Sequence, residues 1–264
     1  MSFAAALNAA PALTFAAMGD VPYTDAEMVT LERQLKELPA TARWVVHVGD
    51  IKTGIGPCGA QRFAQVAGIL RASPKPLFLL PGDNEWNDCP QPEKAWMLWK
   101  EHFAKMDTHW KLPFAVQRQA GREENVAFVQ NGVLVMGITM VGGRVHDAAQ
   151  WRHFLDDGSR WVETQIEAHP DVRCMVLLAH AFPSAQKHKV FAGRFEAAAR
   201  QCAKPILYIH GDGHDWIEDR PFKAAPAVLR VQLTQGGLED PLLVTVDPAA
   251  KEPFQLRRRM LPPQ

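Results

Sequence analysis

The sequence predicts an α/β fold, a four-layer α/β/β/α sandwich with two mixed β-sheets flanked by helices. Three observations predict it. Short apolar runs that read as buried strands alternate with amphipathic segments of helical period. Three of those runs close on Gly-Asp and two on histidine, which puts polar groups at the carboxyl edge of a sheet, where α/β proteins bind ligands. A hairpin and a tail of alternating strands then break the simple strand–helix rhythm and call for a second sheet between the helical layers.

The elements follow in order. Leu13 to Asp20 reads as the first strand and its Gly-Asp end, and Asp25 to Leu38 as a helix with Met28, Leu31, Leu35 and Leu38 on one face. Val45 to Asp50 is the second strand. Ala60 to Leu70 follows as a helix that aligns Phe63, Val66 and Leu70. Leu79 to Trp86 holds the third strand end, Pro-Gly-Asp-Asn-Glu-Trp. In the next helix, Lys94 to Lys105, Trp96, Trp99 and Phe103 recur at helical spacing, a core or lid contact rather than a cofactor box. Val126 to Gln130 and Val133 to Val141 flank Asn131-Gly132, the signature of a tight hairpin. Helices at Trp151 to Ala168 and Val190 to Cys202 each lead into a histidine-terminated strand, Met175 to His180 and Ile206 to His210 respectively bracketing the second of them. Ala227 to Leu233, Leu242 to Val246 and Phe254 to Arg259 alternate enough to be antiparallel strands. With no repeat, low-complexity tract or linker, residues 13–264 read as a single domain after a flexible N-terminal segment over 1–12. That Ala-rich segment lacks a basic start and reads as an untethered tail rather than the remnant of a secretion signal.

Composition narrows the function. Lysine plus arginine (29) equals aspartate plus glutamate (29), so no field for a polyanion exists and nucleic acid is not favoured as a partner. No apolar run reaches the roughly 18 residues that span a membrane. Cys174, inside a strand, and Cys202, at a helix end, read as small buried hydrophobes. Cys58 and Cys89 sit in Gly/Pro-rich loops just past two Gly-Asp ends, on one edge of the sheet. They are either two thiols or a disulfide, and a disulfide would suggest a periplasmic or secreted protein.

The strand ends carry the chemistry. Asp20, Asp50, Asp83, His180 and His210, each at an apolar run's end, make a metal site the economical reading, and a mixed carboxylate–imidazole set suits Mn, Fe or Zn better than Mg or Ca. Other candidates have plainer readings. His47, short of its strand end, reads as a core or supporting residue. His102, His109, His153, His169 and His188 read as solvent-facing, and Arg257 to Arg259 as a solvated strand end. Lys52 stands at a useful distance for a phosphate but is equally a loop lysine. Arg144, after Gly142-Gly143, is a candidate to reach over a substrate.

The order Asp20, Gly49-Asp50, Gly82-Asp83-Asn84-Glu85, His180, then His210-Gly-Asp-Gly-His214 resembles the calcineurin-like metallophosphoesterase superfamily as a divergent member. That family's blocks run Asp-x-His, Gly-Asp, Gly-Asn-His-Glu/Asp, His and Gly-His-x-His. The resemblance covers nearly the whole chain and implies a metal-dependent hydrolase of phosphate esters, a phosphatase or phosphodiesterase, with a phosphorylated small molecule as substrate. It implies two divalent transition metals (Mn, Fe or Zn) in a dinuclear centre that uses a metal-bound hydroxide. By position, Asp20 and Asp50 hold one metal and Asp50, Asp83, His180 and His210 the other, with Asp50 as bridge. Three departures stand out. Pro22 replaces the first-block histidine, with Tyr23 next to it within reach of the site or substrate. Asp83-Asn84 replaces Asn-His, and asparagine donates a hydrogen bond but no proton. In the fifth block either Asp212 or His214 completes the first metal, and His214 is the nearest candidate acid. Those departures keep an alternative open: a degenerate member of the fold that serves as a binding or scaffold module.

Overall fold

The structure, a computed structural model, describes residues 11–183 and 186–259. The expected N-terminal segment over 1–12 lies, through residue 10, outside the described residues. In chain order the elements are β1 (Leu13–Met18), α1 (Asp25–Lys36), β2 (Val45–His47), α2 (Ala60–Arg71), β3 (Leu77–Leu79), α3 (Pro92–Phe103), β4 (Gln117–Gln119), β5 (Arg122–Gln130) and β6 (Val133–Gly137). There follow α4 (Ala148–Ala168), β7 (Cys174–Leu178), α5 (Lys189–Cys202), β8 (Ile206–His210), β9 (Ile217–Asp219), β10 (Val228–Gln232), β11 (Leu242–Val246) and β12 (Phe254–Arg257).

Two mixed sheets result, ordered β12-β11-β1-β2-β3 and β4-β5-β6-β7-β8-β10-β9. β1, β2 and β3 run parallel, as do β6, β7, β8 and β10, so five candidate strand ends open in two parallel sets. The period-2 alternation of side chains assigns the layers. Phe15, Val46, Val135, Val176 and Leu207 meet between the two sheets. The neighbouring residues Ala16 and Val45 face Leu31 and Leu35 of α1 and Phe63 and Val66 of α2. On the far side Leu134, Met175 and Tyr208 pack under α4 and α5 through Leu155, Val162, Phe191 and Phe195. The layer order is therefore helix, sheet, sheet, helix. Trp44 centres the inter-sheet core, stacked on Phe15 at 4.2 Å between ring centroids.

Boundaries depart from the sequence reading where caps or edges decide. α3 starts at Pro92, whose missing N–H costs nothing in a first helical turn. α4 starts at Ala148 because Asp147 caps it, accepting from Ala149 N and Gln150 N. Trp99 and Phe103 of α3 are core residues. The tail strands split between sheets: β10 joins the second sheet parallel to β8, whereas β11 returns to pair antiparallel with β1. β4 and β9 were not anticipated, being three-residue polar segments at a sheet's edges, where charge discourages pairing with other chains. Arg258 and Arg259 are not simply solvated, since they ion-pair with Glu239 and Asp240. His188 is a correction too: it is buried, with Nε2 2.9 Å from Val141 O. Among the described residues no helix is long and apolar enough to cross a membrane.

Candidate metal centre

The ends of β1, β2, β3 and β7, with the loop after β8, converge on one cluster of acids and imidazoles. Asp20, Asp50 and His180 offer ligand atoms within 4.8 Å of one another, and so do Asp83, His180 and Asp212. His180 reaches this point from the second sheet while bonded to the first, its Nδ1 lying 3.1 Å from Val48 O. Nδ1–H donates to that carbonyl, which turns Nε2 toward Asp83 Oδ1 (2.9 Å), Asp50 Oδ1 (3.3 Å) and Asp212 Oδ1 (3.8 Å). Pinning one ring nitrogen on a carbonyl so that the other faces a cation is how metal-binding histidines are oriented.

The backbone is bent to bring these groups together. Asp20, Asp50, Asp212 and His214 all have positive φ (57°, 60°, 69° and 65°), a conformation uncommon outside glycine that clusters at functional sites. Glycines make the close approaches possible. A Cβ at Gly82 would lie 2.2 Å from Asp50 Oδ1, and one at Gly211 would lie 2.3 Å from Asp20 Oδ2.

Burial sets the electrostatics. Asp20 is fully buried, and desolvation pushes its carboxyl up to about 6, with His180 and His214 pulling the other way. Asp50 is raised well above the usual range, again by burial, against the pull of His180. Burial also works to raise Asp83, but the His180 ring, 2.9 Å away, prevails and holds it below. The acids in turn raise His180 well above its ordinary value, in spite of its burial. Asp20 Oδ2 is buried without a hydrogen-bond partner among the described residues, and so are Asp83 Oδ1 and His180 Nε2, which lie 2.9 Å apart but are not aligned for a hydrogen bond. Several acids crowded around an imidazole, with unpaired inward-facing atoms, fit a cation better than they fit one another.

The remaining expected site residues divide. Tyr23 joins the cluster, its hydroxyl 3.3 Å from Asp20 Oδ1, 3.1 Å from Asp50 Oδ2 and 3.0 Å from His214 Nε2; burial and those acids raise its pKa. Asn84 Nδ2 donates to Asp50 Oδ2 at 2.5 Å and its backbone N to Asp50 Oδ1 at 3.0 Å. His214, half exposed, lies 3.6 Å from Asp20 Oδ1. His210 joins neither triad. Its Nδ1 meets Gly211 O at 2.9 Å, its ring stacks on Phe182, and burial drops its pKa to about 3. Asp212, two residues on, stands beside Asp83 and His180 instead, because the loop after β8 turns twice through positive φ.

Lys52 and Arg144 are committed to the backbone. The Lys52 ammonium is buried, and burial lowers its pKa while Nζ donates to the carbonyls of Thr53 and Asn84. Arg144 donates to Asn87 O and Cys89 O and so fastens the third loop. Cys58 and Cys89 form a disulfide that ties the second loop to the third.

Two buried residues support the acids: Glu85, which the sequence reading did not single out, and His47, in the core or supporting place expected of it. Glu85 is fully buried, taking Asp50 N and Gly82 N on Oε1 and Ile51 N on Oε2, and thereby latches the two Gly-Asp loops together. The acid at the end of Gly-Asp-Asn-Glu was its only sequence signal. His47 accepts from Gly49 N on Nδ1 and donates through Nε2 to Val21 O, so only the neutral ring satisfies both bonds. Burial lowers its pKa from 6.5 to about 4. The unfolded chain therefore binds the extra proton first: this contribution is complete above pH 6.5 and is lost as pH falls toward 4. Its full size is about 3 kcal/mol. Denaturant unfolding from pH 7 to 4 should show this loss, and His47→Gln should flatten it; an unchanged slope in the variant would refute the assignment.

No family model matches the chain, and no curated protein matches it. Among solved structures, it is similar to the 5'-nucleotidase from Candida albicans SC5314, with a TM-score of 0.52 and 13% sequence identity over 93% of this chain and 51% of that one. The chain thus spans about half the length of that structure. The likeness is one of fold, a mixed α/β sandwich with two sheets flanked by helices.

Proposed function

We propose that this protein is a metal-dependent phosphoester hydrolase with a dinuclear centre. The observation that supports it most is the pair of triads meeting at His180, with unpaired buried atoms on Asp20, Asp83 and His180 itself. On this reading Asp20 and Asp50 hold one divalent ion and Asp50, Asp83, His180 and Asp212 the other. Asp50 suits the bridge because its two oxygens face opposite halves, Oδ1 toward His180 and Oδ2 toward Tyr23. His210 is left out of the ligand set. Imidazole mixed with carboxylate favours Mn, Fe or Zn. Two such ions supply charge neutralisation for a phosphoryl group and a nucleophile at neutral pH.

The chain's own groups do the rest. Val48 O orients His180, and Glu85 holds Asp50 and Gly82 in register. Asn84 steadies Asp50 through its amide and has a second N–H to offer a phosphoryl oxygen. His214, half exposed and bonded to the Tyr23 hydroxyl, is the group we assign to protonating the leaving alcohol. The disulfide supports a periplasmic or secreted location, and the 13–264 stretch is taken as one domain.

Metal analysis with a turnover assay tests the function. We expect roughly two transition-metal ions per chain and hydrolysis of p-nitrophenyl phosphate or its diester. A chelator should abolish turnover and Mn restore it. Full activity without metal would refute the proposal; one ion or none, without turnover on either ester, would favour the scaffold reading that Pro22 and Asn84 keep open.

A further inference from the structure

A cavity of about 480 Å3 opens beside the cluster, between the loop after β1, the disulfide-tied loop after β2 and the start of α2. Its volume is in the range of small-molecule sites. Tyr23 belongs to both places: it lines the cavity, and its hydroxyl touches Asp20 and Asp50. A phosphoester whose phosphate sits at the acids therefore has this cavity as the adjoining space for its alcohol part.

The lining says what that part is. Thr53, Gln61, Arg62 and Gln65 offer hydrogen-bonding side chains, and among the described residues Tyr23 is the only aromatic ring along the wall. With its hydroxyl held at the acids, no pair of rings is left to clasp a nucleobase. The distinctive group is Arg62. Its guanidinium is mostly buried, with 16% of the side chain exposed, yet only Pro22 O and Asp25 Oδ1 take its donors among the described residues. The Asp25 side chain is fully exposed, so that ion pair is a weak one that an incoming anion can displace. Lys52, the other cation of the wall, is occupied by two carbonyls.

We propose that this cavity is the leaving-group subsite and that Arg62 selects phosphoesters whose alcohol carries a second anion, a carboxylate or phosphate. The inference rests on the phosphoesterase reading above. Guanidinium suits either oxyanion because both accept its paired N–H groups.

Two non-hydrolysable ligands test it by equilibrium binding to the metal-loaded protein. 4-Phosphonobutyrate and butylphosphonate share a phosphonate and differ by a carboxylate against a methyl. 4-Phosphonobutyrate is expected to bind roughly tenfold tighter or better. That ratio should collapse toward one in Arg62→Ala, recover partly in Arg62→Lys, and rise in Asp25→Ala, which frees the guanidinium. A bisphosphonate of the same length, run beside them, tells carboxylate from phosphate preference. Equal losses for both ligands in Arg62→Ala, with no gain in Asp25→Ala, would show that Arg62 merely tethers the Pro22 turn and would overturn the proposal. A ratio near one in the wild type would overturn the subsite alone. Failure of both phosphonates to bind metal-loaded protein at millimolar concentration would overturn the phosphoesterase reading with it.

Discussion

Asp50→Asn is expected to lower phosphoester hydrolysis by on the order of 10^3-fold and to reduce bound metal below two per chain. Asn tolerates the positive φ of 60° that Asp50 adopts, so the loop should keep its course. The loss then comes from charge. Asparagine keeps one acceptor oxygen and replaces the other with an NH2, which would confront either Asn84 Nδ2 or Asn84 N, both already donors to Asp50. Burial that raises the Asp50 pKa also means that the metal-free wild type strains to hold this charge. The variant should consequently melt no lower than the chelated wild type while being inactive. Metal content, turnover and melting temperature on one preparation check all three. Wild-type metal occupancy with activity within tenfold would remove Asp50 from the bridge.

Breaking the Cys58–Cys89 bond is expected to have the largest effect on stability. The two cysteines are 31 residues apart, and chain entropy alone puts the contribution of such a loop at about 3–4 kcal/mol. For a chain of this size, the Cys58→Ser/Cys89→Ser protein should melt lower by on the order of 10 °C. The effect should reach the site as well. Asn84 O accepts from Lys52 Nζ and packs against both sulfurs, at 3.8 Å from Cys58 Sγ and 3.5 Å from Cys89 Sγ. Reduction loosens the residue that steadies Asp50. Thermal unfolding with and without reductant, alongside the double variant, measures the first effect, and metal affinity the second. A melting shift below 2 °C would be too small for the loop-entropy account.

The sequence and the structure agree where one physical signal suffices. An apolar run closed by Gly-Asp marks a buried strand opening at a sheet edge, and Asp20, Asp50 and Asp83 converge from three such ends. Agreement ends where backbone torsion decides which side chain turns inward. Nothing in His-Gly-Asp-Gly-His states that Asp212 and His214 adopt positive φ while His210 packs on Phe182. Glu85, Lys52 and Arg144 were hard to place for another reason: their partners are backbone N–H and C=O groups, which carry no residue identity. The polar edge strands β4 and β9 escape because pairing with a neighbour, rather than burial of an apolar face, makes them strands.

The placement of β11 has a consequence for how the chain is made. β1, which leads to Asp20, lies between β2 and β11, so one of its edges is completed by residues 242–246, synthesised long after it. Leu13 pairs with Val246 across nearly the whole sequence. Until that partner is synthesised, β1 presents a row of unpaired N–H and C=O groups beside apolar side chains, a template for wrong pairing in a crowded cell. Such long-range pairing is slow to form. Asp20 of the candidate metal centre is therefore translated well before the strand that locks β1 in place, and a nascent chain stalled before β11 is a substrate for chaperones and proteases.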